Sequence, residues 1–142
     1  MHRVSVGGLL VTFMALSAVA CTKTDSGSTP VNPTPPQITE PDWTGTLTVN
    51  GAVILPFTAT DVGTVTAIVE DLNPSADATL SVGLDLGTWD GSGCTLKKSN
   101  VNAGIGSGVV AFANGPGALC GRISDTGHLT EPVTFVVKIT HY

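Results

Sequence analysis

Several stretches of this chain alternate apolar and polar residues with a period of two, and none does so with a period of 3.6. Val53, Leu55, Phe57 and Ala59 share one parity, and so do Val65, Ala67 and Val69. Leu80, Val82, Leu84 and Leu86 alternate with Ser81, Gly83 and Asp85, and Leu47 and Val49 with Thr46 and Thr48. Near the end, Val133, Phe135, Val137 and Ile139 alternate with Thr134, Val136, Lys138 and Thr140. Successive side chains of a strand point to opposite faces, so each run predicts a half-buried antiparallel strand. The breaks fall at Asn50-Gly51, Asp61-Val62-Gly63, Asn73-Pro74, Asp90-Gly91, Asn114-Gly115-Pro116-Gly117 and Asp125-Thr126-Gly127. These are turn formers, and Asn-Gly between two alternating runs predicts a tight hairpin. Roughly eight short strands with regular turns predict an all-β, two-sheet antiparallel β-sandwich of jelly-roll-like type.

The alternation starts only after residue 40. Met1-His2-Arg3 is a short basic start, and residues 4–20 carry no charge. That run is slightly short of the ~20 apolar residues of a spanning helix. It contains Gly7-Gly8 and ends in small residues, which predicts a cleaved export signal over 1–20. Ala18-Val19-Ala20 reads as an A-x-A site for ordinary signal peptidase. With Cys21 after it, the same segment resembles the lipobox of bacterial lipoproteins, although Ala18 stands where Leu is usual and Leu16 lies two residues too early. The resemblance implies lipidation of Cys21 and a membrane partner through that lipid. Residues 21–39 are rich in Ser, Thr and Pro and have few side chains to bury, which predicts a disordered or extended tether. The folded domain is expected over 40–142. Thr22 follows the cysteine, not the Asp that favours inner-membrane retention in enterobacterial sorting. The expected location is the bacterial cell envelope, at the outer membrane, with secretion as the alternative.

Cysteine usage fits an exported chain. Of the three cysteines, Cys94 and Cys120 lie inside the domain and are the natural disulfide pair in an oxidising compartment. Cys21 is then odd and needs a fate, which a lipid supplies. A structural zinc is a poor alternative, because no C-x-x-C exists and His128 and His141 are not near a cysteine in sequence. Of eleven acids and six bases, Asp25, Arg3 and Lys23 lie upstream of residue 40, leaving ten acids and four bases in the domain. An acidic domain argues against nucleic acid and against an anionic membrane surface as direct partners. It leaves cations and sugars open.

The stretch from Trp43 to Tyr142 resembles the pre-peptidase C-terminal type of β-sandwich found on secreted bacterial proteins. Thr44-Gly45-Thr46-Leu47 with Leu55-Pro56-Phe57-Thr58-Ala59-Thr60 is similar to that family's opening hairpin. Gly63 to Ala67 and Leu84 to Gly91 resemble its middle strands, and Arg122 to Leu129 with Pro132 to Phe135 its closing hairpin. These are structural motifs, and they imply a fold more than an activity. Some members bind calcium, and Asp85, Asp90, Asn100, Asn102 and Asp125 are oxygen ligands near turns. Val101, however, stands where related sequences often place an acid, and the compact D-x-D-x-D-G loop is absent. No cofactor is therefore expected, with calcium as the alternative.

Two further residues merit a chemical reading. Trp89 beside Asp90 in a Gly-Thr-Trp-Asp-Gly turn could form a ligand platform, the indole stacking on a sugar and the acid taking hydroxyls. Against this, Trp43 and Trp89 are the only tryptophans of an aromatic-poor domain, and large aromatics usually plug a core. No G-x-S-x-G elbow occurs, Gly106-Ser107-Gly108 is a glycine-rich turn, and Glu70-Asp71 borders a strand end. No catalytic residues and no enzyme are expected. Two functions stay open: a surface-tethered binding or adhesion module for a glycan or an envelope protein, and a structural accessory protein without a small ligand.

Overall fold

The computed structural model describes residues 33–74 and 80–142. The expected signal, the lipidation at Cys21 and most of the expected tether lie outside the described residues. Nine strands are present among the described residues: β1 (Ile38–Thr39), β2 (Trp43–Leu47), β3 (Ala52–Ala59), β4 (Gly63–Asn73), β5 (Val82–Trp89), β6 (Cys94–Ala103), β7 (Gly108–Ala113), β8 (Gly117–Ser124) and β9 (Val133–His141). Among the described residues there is no helix. The strands form two antiparallel sheets. One runs β1-β9-β4-β7, with β2 also paired to β9, and the other runs β3-β8-β5-β6. This is the interleaved order of a jelly roll, in which nearly every connection crosses from one sheet to the other.

The period-two runs meet in the middle. Val65, Ala67 and Val69 of β4, Val82, Leu84 and Leu86 of β5, and Phe135, Val137 and Ile139 of β9 are all buried. Phe135 is the largest fully buried side chain, and Trp43 packs edge-on against it with ring centroids 5.3 Å apart. Gly121 of β8 makes room for that tryptophan: a Cβ there would lie 3.2 Å from the indole.

Three expectations need correction. Asn50-Gly51 does not close a hairpin, because β2 pairs with β9 and β3 with β8, in different sheets. The turn itself is real. Gly51 N–H donates to Thr48 C=O at 2.8 Å, and Asn50 takes φ 56°, as the third residue of a type II turn does. It lifts the chain from one sheet to the other, so Val49 ends up exposed rather than on an inward face. The expected closing hairpin is likewise a crossing, since β8 and β9 belong to different sheets. Finally, the domain begins before residue 40. Ile38 and Thr39 pair with His141 and Thr140, and Glu40 N–H donates to Ile139 C=O at 2.9 Å.

The expected disulfide joins Cys94 to Cys120. Cys120 lies opposite Gly87 of β5, and Cys94 lies opposite Trp89 of the same strand. The bridge therefore ties β6 to β8 across the strand between them. Gly87 sits under that crossing, where a Cβ would come within 2.3 Å of Thr95 C=O.

Candidate functional site

The sequence-derived candidates separate into several places. Trp89 ends β5 and is half-buried, in register with Cys94. Asp90 beside it is committed to its own turn: one carboxylate oxygen accepts from Ser92 N–H at 2.8 Å, Ser92 Oγ at 2.9 Å and Gly93 N–H at 2.7 Å. These bonds, the Ser92 amide first, hold the Asp90 carboxyl below the ordinary carboxylate range.

The oxygen-bearing candidates for calcium also have local partners. Asp85 is buried within 3.9 Å of the Arg122 guanidinium. Asn100 Oδ1 accepts from Asn102 N–H at 3.2 Å, while Asn100 Nδ2 donates to Gly108 C=O at 3.0 Å. Asp125 accepts from Asn50 N–H at 2.7 Å and from the amides of Gly127, His128 and Leu129. Among the described residues no group of three His, Cys, Asp or Glu is placed to hold a metal.

Two histidines have environments the sequence did not disclose. His128 is exposed, and its Nδ1 lies 3.3 Å from Ser81 Oγ and 3.2 Å from Thr126 Oγ1. Both hydroxyls meet the same ring nitrogen, and Asp125 accepts the backbone amide of His128, not its ring. A Ser–His–Asp relay needs the acid on the second ring nitrogen, so this geometry does not form one. His141 is 1% exposed, stacks on Phe57, and shares a 2.8 Å contact between Nε2 and Glu40 Oε1. That pair clamps the incoming chain to the last strand.

Among the described residues, the edge strand β7 at the end of its sheet has no strand on its outer side. Its six residues, Gly-Val-Val-Ala-Phe-Ala, carry no charge and no proline. Val110 is 58% exposed and Phe112 63%, the highest value for a large apolar side chain among the described residues. The edges of the other sheet are guarded: β3 contains Pro56, and β6 contains Lys97-Lys98. The edge strand β2 also lacks charge and proline, but its exposed residues are Thr44 and Thr46, not large apolar ones. Beside Phe112 a small cleft of about 60 Å³ opens between the sheets, lined chiefly by Phe57, Leu86, Ala111, Leu119 and Lys97. The sequence signal for this site is Val109, Val110 and Phe112 in an uncharged segment over 108–113, behind a glycine-rich turn.

No family model matches the chain, and no curated protein matches it. Among solved structures it is similar to the Yersinia pseudotuberculosis-derived mitogen, with TM-score 0.50 and 17% identity, over 77% of this chain and 88% of that one. At that identity the likeness concerns the fold.

Proposed function

We propose that this protein is a non-catalytic binding module of the bacterial cell envelope, held there by a lipid on Cys21, and that its ligand is a protein. One observation carries the choice of ligand: the unguarded edge β7 with Val110 and Phe112 turned to solvent. A monomer seldom leaves its most exposed aromatic on an uncharged edge strand without a partner for it. A glycan is disfavoured because Trp89 is half-buried and Asp90 already serves its turn. The anchor is supported by the basic start, the apolar run and the cysteine count. With Cys94 and Cys120 joined, Cys21 is the odd cysteine. The likeness in fold to a mitogen is compatible with a binding role and adds nothing more specific.

A photo-crosslinking residue introduced at Phe112 tests the ligand. Covalent adducts with an envelope protein are expected from position 112 and not from the exposed position Thr134. Glycan binding by the domain, lost in Trp89→Ala and unaffected by Phe112→Asp, would reverse the choice.

A further inference from the structure

We infer that β7 and the cleft beside it receive an extended segment of a partner protein, added as a strand, with apolar residues at alternate positions and a carboxylate near Lys97. This deepens the proposed protein-binding role and rests on it.

The backbone supplies the first part. Val69 N–H donates to Ser107 C=O at 2.9 Å, just before β7. Bonded and non-bonded positions alternate along an antiparallel ladder. Val109, Ala111 and Ala113 therefore face β4, opposite Ala67, Val65 and Gly63. The N–H and C=O groups of Gly108, Val110 and Phe112 point away from the sheet. Asn100 confirms the direction, since its Nδ2 reaches the Gly108 carbonyl from β6. That bond closes one end of the edge. Val110 and Phe112 keep two donors and two acceptors for an incoming strand, which is the main-chain basis of strand addition.

The side chains supply the second part. On a strand paired with β7, the residues opposite Ala111 and Ala113 lie on the inward face. The alanines are small, and the cleft lined by Phe57, Leu86 and Leu119 lies beside them. Alternate apolar side chains of the guest would enter it. Those of opposite parity would lie against Val110 and Phe112.

Charge supplies the third. The domain has four bases, and two are matched: Arg122 with Asp85, and Lys138 with Glu70 at 3.2 Å. Among the described residues Lys97 and Lys98 have no ion pair, and Lys97 lines the cleft. A guest with a carboxylate at that end completes the pattern. A second copy of this chain does not, because its β7 carries no charge.

The probe is a synthetic seven-residue peptide alternating valine with threonine, with one valine, of the parity that faces the cleft and Lys97, replaced by aspartate, added to the exported protein carrying Cys21→Ser. At millimolar peptide, amide exchange of Val110 and Phe112 is expected to slow. The aspartate peptide should bind roughly two- to fivefold more tightly than its lysine counterpart, the range of one exposed ion pair. Lys97→Glu should reverse that preference. Val110→Pro should abolish binding, since proline removes an outward donor and is tolerated on edge strands; Phe112→Asp, which leaves the backbone intact, guards against misfolding of the proline variant. No protection at Val110 and Phe112, or no change of preference in Lys97→Glu, overturns the inference. So does concentration-dependent self-association through β7, which would assign the edge to a second copy. If the crosslinked envelope protein still binds Lys97→Glu and Val110→Pro normally, strand addition fails while the protein-binding role stands.

Discussion

Asp125 shows how much a single side chain does in this fold. Its carboxylate joins the turn after β8 to Asn50, 75 positions earlier, and Asp125 N–H returns a bond to Gly51 C=O at 3.0 Å. The Asn50 amide is the leading cause that holds the carboxyl below its ordinary value, followed by the Leu129, Gly127 and His128 amides. A depressed folded value means that the contribution is complete above the ordinary carboxylate range and is lost as pH falls through the folded value. The melting temperature should therefore drop on acidification below about pH 4. Asp125→Asn should lower it at pH 6 and flatten part of that acid limb, with Asp90 supplying some of the remainder; parallel pH profiles would refute this. At the opposite end, Glu40→Ala leaves a buried His141 nitrogen without its partner. The expected loss is about 1–3 kcal/mol in denaturant titration, the usual penalty for an orphaned buried polar group. In the core, Phe135→Ala should cost about 3–5 kcal/mol, whereas Thr134→Ser, on the exposed parity, should be nearly silent. The parity of Phe135 was legible from sequence. That Asp125 serves Asn50 was not, because local spacing carries no information about a partner so distant in the chain.

Among the elements, legibility followed burial. Strands with one face in the core, such as β4 and β9, announce themselves by alternation. β6 does not: from Thr95 to Ser99 both faces are exposed, so polar residues suit either parity. The turn at Asn50-Gly51 specifies a reversal but not the sheet of the next strand, which depends on β8 and β9, far downstream. Among the described residues, the one pair of consecutive strands that forms a local hairpin is β5–β6, at Asp90-Gly93. The disulfide fastens this hairpin to β8 over a separation of 26 residues. Closing such a loop should contribute about 3.5 kcal/mol in the chain-entropy model. Cys94→Ala with Cys120→Ala should show a loss of that order, and an unchanged denaturation midpoint would refute it. On β7, Phe112→Lys should reduce precipitation at high concentration without lowering the melting temperature, because the replaced ring is mostly in water.

For the whole molecule, Cys21→Ser should abolish fatty-acid labelling and release the protein from membranes; wild-type protein that is unlabelled and already in the medium would refute the anchor. Deleting residues 1–37 should leave the domain's melting temperature unchanged, whereas deletion through 42 removes β1 and Glu40 and should lower it. The pairing of Ile38–Thr39 with the end of β9 has a mechanical consequence. Chain leading from the proposed anchor would join the domain at β1, and the proposed guest would sit on β7. Both are strands of the same sheet. Tension between membrane and partner would then run sideways through β1, β9, β4 and β7, and the disulfide-bridged sheet would bear none of it directly. Under pulling, the weakest link would be the two-residue β1, which would peel away first and lengthen the leash while the binding edge stays folded.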